Sequence, residues 1–584
     1  MLVRRTWAYG SEGGLKVKSR TIALLTLTLL ASAMPGAAED LTISPLPGDV
    51  GTLPATPGGV LELDLAGAYQ MALARNLELN VGRYDLAIAD ANLRGSGGIF
   101  DPFFLASYGA DETKQPTSTI LEGANVAESR NQRFVLGVEQ LLPTGTQLGG
   151  RWNSFRGETN SEFFFLNPRW DASLNITLTQ PLLNGCGTTV NRSQIIIADN
   201  LRQQTAVRFE VQVIQLLAGV EQADWEVVAS RLAVAVSQQS LDLAAQLLEE
   251  TEQRVEVGTS APIDMVQSEA TVATRRQELI YAQNAASNAE DELKALLGFD
   301  LPHEWAVRVE TTDPYEMDPF LPDLQESIAI ALEHRPAIVR QELEMQRLAH
   351  NVDVSKNVAL PTLDLTGSYG WGGVSGESTI TDPDGSPIKV REDWSDAAAQ
   401  VFEFEFPRWT FGLNYSMPIG NHRAKEQLAA DRYFYDRADA QLSALKQQIT
   451  KDVRLAVRAL YDGAAAIEAA EASSRLALRN LEAEQTKFAN GLSTNFQVSE
   501  IQDALASAQF AEIRARVNYR KSLALYYLVT GTFLDARHVA IEDPGAPDSA
   551  HDYWKDVKWM QFSNFKGSKD LVTIPAEPVQ EAGK

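Results

Sequence analysis

Apolar residues recur along much of this chain in alternating steps of four and three. Leu216, Val220, Ala223, Val227, Ser230, Val234, Ser237, Leu241, Ala244 and Leu248 trace one stripe. That is the pattern of a helix packed lengthwise on another helix. A second stripe, Trp225, Val228, Leu232 and Ala235, lies beside it, so the helix has two neighbours, as in a wall. No proline interrupts the run from about Asn191 to the reversal at Val257-Gly258-Thr259-Ser260. Roughly 65 residues at about 1.5 Å each predict a rod of about 100 Å, and a return leg reaches Leu297. The pattern then recurs. A second rod begins near Asn421 and carries Val453, Ala456, Leu460, Gly463, Ile467, Ala470, Ser474, Ala477 and Leu481. It reverses at Asn490-Gly491-Leu492-Ser493 and returns to about Gly531. The chain reads as a tandem duplication of a very long helical hairpin.

Between the helical stretches the period changes to two. A helix expected from about Leu63 to Leu93 stops at Phe100-Asp101-Pro102. Strand-like segments follow at 103–109, 134–141, 147–155 and 172–182, with a tight turn at Pro143-Thr144-Gly145. In the last, Leu174, Ile176, Leu178 and Gln180 face one way, and Ser173, Asn175, Thr177 and Thr179 the other. Strands of about 10 residues with one apolar side match membrane barrels; a soluble β-domain is the plainer alternative. Phe103, Phe104, Trp170, Trp371 and Trp409 are candidates for an aromatic girdle at the barrel rims. The second half repeats the scheme. A helix is expected at about 321–357, then strands at 362–373 and 408–418 flanking a long acidic loop (Glu377, Asp382, Asp384, Glu392, Asp393, Asp396, Glu403 and Glu405). Ala72-Leu73-Ala74-Arg75 matches Ala331-Leu332-Glu333-His334, and Pro102 matches Pro361. By this reading the 63–93 helix takes the returning leg of the second hairpin, near 495–530, as its partner, closing the duplication into a ring.

Composition narrows the class. The formal charge is −26 at pH 7, which disfavours nucleic acid as a partner. Arg4, Arg5, Lys16, Lys18 and Arg20 precede an apolar run from Thr21 to Leu30 and small residues to Ala38, the form of a secretory signal. Beyond it no apolar run of 18 residues occurs, so a membrane-spanning mature chain must use a β-barrel. The single cysteine, Cys186, excludes a disulfide framework and a cysteine-rich metal site. The expected organisation is a signal peptide at 1–38, a Pro/Gly-rich linker at 39–60, a first repeat at 61–320 (strands about 102–182, hairpin 192–297), a second at 321–535 (strands about 362–418, hairpin 421–530) and a polar tail at 536–584.

The duplication, Gln180-Pro181-Leu182-Leu183 with Gly185, Gly187, Asn191 and Arg192, and the two tips together resemble the TolC family of outer-membrane efflux proteins. At the tips, Arg254-x-x-x-Gly258 with Asp264 and Ala270 corresponds to Lys487-x-x-x-Gly491 with Gln497 and Ala504. The resemblance covers about 60–535. It implies an α+β membrane protein: a homotrimer whose transmembrane β-barrel, set in outer-membrane lipid, continues as a long periplasmic α-helical coiled-coil barrel. Elementary physics asks for similar closure, because open sheet edges in lipid leave backbone groups unpaired. The family has four strands per chain; six strand-like segments here make a barrel of either twelve or eighteen strands. The implied activity is that of a passive exit duct, in a tripartite efflux pump or a type I secretion system, working with a periplasmic adaptor and an inner-membrane RND or ABC transporter.

The resemblance makes the tips, Val257, Gly258, Thr259, Ser260, Asn490, Gly491, Leu492 and Ser493, the adaptor-docking elements. Thr259, Ser260, Ser493 and Thr494 are placed to cap the helices that follow. It also implies an acidic entrance after the second tip, at Gln497 and Glu500, to which Asp264 and Glu269 add. Repeated three-fold, such carboxylates favour cations. No cofactor, metal site or catalytic group is expected: the six histidines show no paired ligand spacing, and no nucleophile elbow or phosphate loop is present. Gly370-Trp371-Gly372-Gly373 reads as a strand end and Asp382-Pro383-Asp384-Gly385 as a turn. The alternative function is a periplasm-spanning structural or adhesive coiled coil without a channel.

Overall fold

The computed structural model describes residues 59–117, 125–161, 163–314, 318–381 and 387–541. The expected signal, most of the 39–60 linker, the Asp382–Gly385 turn and the tail from 542 lie outside them. In chain order the elements are β1 (Val60–Leu63), α1 (Leu65–Arg75), α2 (Leu77–Ser96), β2 (Phe103–Pro116), β3 (Val126–Leu141), β4 (Gln147–Thr159), β5 (Arg169–Pro181) and the short α3 (Thr188–Asn191). The first long hairpin is α4 (Ser193–Glu256) and α5 (Pro262–Leu297), followed by β6 (Arg308–Thr311). Then come α6 (Leu324–His334), α7 (Pro336–Val358), β7 (Thr362–Thr381), β8 (Pro387–Arg391), α8 (Trp394–Phe402) and β9 (Pro407–Ser416). The second hairpin is α9 (His422–Ala489) and α10 (Asn495–Thr530), and α11 (Phe533–Ala536) ends the series.

The long helices follow the seams. Val220, Ala223, Val227, Ser230, Ser237 and Ala244 are buried along α4, and Val453, Ala456, Leu460 and Leu481 along α9. α4 is the middle of the wall. Towards the sheet it lies between α2 and α7, with α9 beyond; towards the tips it lies between α5 and α10. Arg202 of α4 pairs with Asp90 of α2 at 3.0 Å. Asn200 donates to the Leu343 carbonyl of α7 at 2.9 Å.

Both helices expected to be continuous, 63–93 and 321–357, are broken. The first ends at Asn76, whose side chain accepts from the Leu79 amide at 3.0 Å and so starts a new helix. The second breaks before Pro336, whose ring forces Arg335 into an extended conformation (ψ 121°). Each break abuts the end of a returning leg. Gly298 and Gly531 end α5 and α10 in the left-handed region (φ 79° and 77°). A Cβ at Gly298 would lie 2.6 Å from the Arg75 carbonyl oxygen, and one at Gly531 2.9 Å from that of His334. Asn76 Nδ2 also donates to the Leu296 carbonyl at 3.1 Å. The 63–93 segment therefore sits on the returning leg of its own hairpin, not of the second one, because that leg's glycine leaves room and its last carbonyls need donors.

The strands run further than their alternation. β2, β3, β4, β5, β7 and β9 form one antiparallel sheet in that order, with β8 paired to the far end of β7. In the described part of the acidic loop β7 extends to Thr381 and β8 and α8 follow; Asp382 and Asp384 lie outside the described residues. The end of the expected linker and the segment after α5 form a parallel pair, β1 with β6.

Candidate functional site: the helical tips and the two-faced sheet

At the first tip, Gly258 (φ 79°) reverses the chain, a conformation open to a residue without Cβ. The Thr259 and Ser260 amides return to the Arg254 carbonyl at 2.8 and 3.2 Å. Thr259 Oγ1 donates to the same carbonyl at 3.0 Å. These residues close α4 rather than cap α5. The start of α5 is satisfied by Asp264, whose carboxylate accepts from the Ala261 amide at 3.2 Å. At the second tip Gly491 has φ 74°, and Leu492 N donates to the Lys487 carbonyl at 2.9 Å. Thr494 does cap α10, in a reciprocal arrangement with Gln497. Ser493 turns instead to Glu484 and Gln497. Lys487 and Ser493 hold the Glu484 carboxyl below the usual range. Val257 and Leu492 stand exposed at the two apices.

The hairpins are latched to each other. Arg254 donates to the Phe488 carbonyl at 2.8 Å, and its guanidinium lies 3.9 Å from the Phe488 ring centroid. Asn495 Nδ2 reaches the Asp264 carbonyl at 3.2 Å and Ser268 Oγ. Arg275 of α5 pairs with Asp503 of α10. A groove of about 240 Å³ between these helices is lined by Ser268, Thr271, Asn495, Glu500 and Asp503, among others. Of the four expected entrance residues, only Glu500 lines it. Glu269 is exposed elsewhere on α5, while Gln497 and Asp264 serve helix starts. Sequence reading missed Asp503, one turn beyond Glu500, and Arg275, Asn495 and Arg254. The available signal was a set of long polar side chains on two helices known only to run side by side.

Where the hairpins meet the β1–β6 pair, polar groups are buried. Tyr69 donates to Glu221 at 2.7 Å, and Arg537 donates to both Glu221 oxygens. The expected polar tail thus begins with a residue locked into the core, because Glu221 needs a counter-charge there. Burial first, then the Glu221 charge, pushes the Tyr69 phenol far up. Burial, followed by the charges of Asp313 and Glu221, raises Asp224 to about 7.

The sheet has two unlike faces. Successive residues of a strand alternate between faces, and the register aligns Leu136, Trp152, Leu174 and Trp371. Tyr108, Phe134, Ile176, Leu178, Tyr369, Phe411, Leu413 and Tyr415 share that side and are exposed in the single chain. The opposite side carries Ser173, Asn175, Thr177, Asn153, Arg151, Glu139, Asn131, Ser368 and Thr410. Phe104, Trp170, Trp371 and Trp409 lie on the apolar face; Phe103 lies on the polar one. Among the described residues no helix is long and apolar enough to cross a membrane, and no His, Cys, Asp and Glu cluster is set to hold a metal.

Two helical hairpins rising to a sheet that is apolar on one side and polar on the other define a helix-and-sheet architecture. The family model described as "Outer membrane efflux protein" matches residues 68–299 and 328–532. The chain belongs to that family. Outer membrane protein TolC of Escherichia coli strain K12 is 26% identical over 273 residues, 47% of this chain and 52% of the relative. The chain therefore spans about half the length of that curated relative. Among solved structures, the CmeC outer membrane channel of Campylobacter jejuni superposes with TM-score 0.58 at 15% identity, over 85% of this chain and 90% of that one. The open-state MtrE channel of Neisseria gonorrhoeae gives 0.53 at 18%, over 80% and 89%.

Proposed function

We infer that this protein is a passive exit duct of the bacterial outer membrane, assembled as a homotrimer and gated at its periplasmic helical tips. The two-faced sheet carries this reading. Its apolar side suits lipid and its polar side suits water, the alternation of a water-filled barrel. The edge strands β2 and β9 run in opposite directions, β2 away from the helices and β9 back to them. Adjacent chains can therefore join edge to edge in antiparallel fashion, leaving no backbone unpaired in lipid. Three copies of a six-strand sheet make eighteen strands. At a spacing of about 4.8 Å and a tilt of about 40°, their circumference is about 110 Å. Twelve helices, four abreast per chain, at 8–10 Å need roughly 95–120 Å. Twelve strands would span only about 75 Å. Eighteen strands match the helical tube without a neck.

The wall of four helices continues the conduit through the periplasm, and the two halves are copies of one unit. The tips around Gly258 and Gly491 dock a periplasmic adaptor, which links the duct to an inner-membrane RND or ABC transporter that supplies the energy. The latch of Arg254, Asn495 and Arg275 holds the tips together, and Glu500 and Asp503 give the entrance its charge. Phe104, Trp170, Trp371 and Trp409 serve the aromatic girdle. A non-conducting coiled coil would have no use for a sheet with a separate polar face. Purified protein in planar bilayers is expected to show low, cation-selective conductance. A large anion-selective pore in the unmodified protein overturns the closed acidic entrance.

A further inference from the structure

The helix α8 stands outside everything the duct requires. It sits on the apolar face of the sheet, with Ala397 and Val401 buried against Ala172, beside Trp152, Leu174 and Trp371. The contact is close and specific. A Cβ on Gly373 would lie 2.0 Å from the Ala397 carbonyl oxygen, so only glycine lets the helix backbone settle there. Gln400 exchanges two hydrogen bonds with the Val374 backbone, at 3.0 and 3.1 Å. It thereby caps the stretch of β7 between its pairings with β9 and β8. Trp394 Nε1 donates to Ser154 Oγ at 2.7 Å, and Phe402 stacks on Trp152.

What α8 leaves uncovered points to its surroundings. Trp394, Phe402, Phe404 and Phe406 remain 41–64% exposed. Phe404 holds φ 59°, a costly backbone for a bulky residue, and its ring meets Trp371 edge-on. Polar groups, Asp393 and Asp396 in a capping box and Glu403 after the helix, flank this aromatic set. Gly373 lies about 28 Å above Thr362 along a barrel axis at ordinary strand rise and tilt. The apolar band of such barrels is about 25 Å tall. Helix and aromatics thus stand at the outer edge of the band, where amphipathic segments settle.

Resting on the reading that this sheet spans the outer membrane, we propose that α8 and its flanking aromatics form an external anchor lying in the headgroup–acyl boundary of the outer leaflet. A neighbouring subunit is not the occupant: in a closed barrel, chains meet at the β2 and β9 edges, whereas α8 lies over β5 and β7.

The test places a nitroxide on full-length trimer in liposomes, in a Cys186→Ser background. Single cysteines are introduced at Ala399 on the exposed side of α8, at Phe411 on the apolar sheet face, and at Thr259 on the tip; Ser395→Cys serves if Ala399→Cys folds poorly. Collision rates with lipid-soluble oxygen and a water-soluble nickel chelate are compared. An oxygen-to-nickel ratio at Ala399 several-fold above that at Thr259, and below that at Phe411, supports the anchor. A ratio equal to that of Thr259, or shielding from both reagents, overturns it while Phe411 still reports lipid. Water exposure at Phe411 itself overturns the membrane reading of the sheet and the anchor with it.

Discussion

The waist of the molecule and its tips use the same polar chemistry in opposite settings. At the waist, Glu221 is 2% exposed and is held by Tyr69 and Arg537. At the tips, Arg275 meets an Asp503 that is half exposed, and Arg254 reaches Phe488 across the gap between hairpins. Ionic contacts in a low-dielectric interior are costly to break because the remaining partner is left without water. Contacts screened by solvent contribute a kcal/mol or less. The comparison describes a wall joined at one level around a buried carboxylate and, near its end, by polar contacts reaching solvent beside the buried apolar cluster of Leu247, Leu481, Phe488, Val498 and Leu505. The proposed gate would open where the polar contacts reach solvent, while the buried carboxylate at the other level stays fixed.

The sharpest way to break this contrast is Glu221→Ala. It strands a partly buried guanidinium and a buried phenol, and a loss of about 3 kcal/mol is expected, read as a large drop in thermal midpoint. An unchanged midpoint would remove this join. Next is Asp224→Asn. Asp224 stands at about 7, above its ordinary 3.8, so its carboxyl favours the folded state only while protonated. The resulting penalty is absent below about pH 4, grows between pH 4 and 7 and is complete above 7. The asparagine variant should then be more stable than the parent at pH 8, by up to about 4 kcal/mol, and no more stable at pH 4. Equal gains at both pH values would contradict the buried acid.

Smaller effects belong to the tips. In Gly491→Val the Cβ meets nothing within 4 Å but the residue must adopt φ 74°, a local cost of about 1–2 kcal/mol. Trimer yield should hold while adaptor capture weakens; undiminished export by this variant would sever the second tip from docking. Arg275→Ala should cost less stability than Glu221→Ala, because both of its carboxylate partners are about half exposed, yet raise single-channel conductance several-fold. An unaltered conductance would show that this pair does not fasten the entrance.

The Arg537–Glu221 contact illustrates what local patterns hide. Arg537 follows a helix end in a polar stretch, and nothing near it in sequence marks it for burial. The Asp503–Arg275 pair is hidden in the same way: each is one charge among many on a long amphipathic helix. The tips were legible for the opposite reason. A glycine after a basic residue at the end of a heptad run, followed by hydroxyl residues, describes a reversal completely within a few residues, although which hydroxyl caps which helix depended on backbone detail.

Taken alone, the amino-acid order determined the lengths of the rods, the places where they turn, the positions of six strand segments and, in the segment ending at Leu182, the side that is apolar. Those features follow from periods of 3.5 and 2 and from glycine and proline, interactions that close within a turn or a strand. Only the tertiary structure decided that the broken helices seat on the ends of α5 and α10, that Glu221 finds Arg537, and that an acidic loop becomes a helix on the apolar face. Each depends on atoms brought together from distant parts of the chain, where a single glycine or one unsatisfied carbonyl selects the partner and no periodic pattern records the choice.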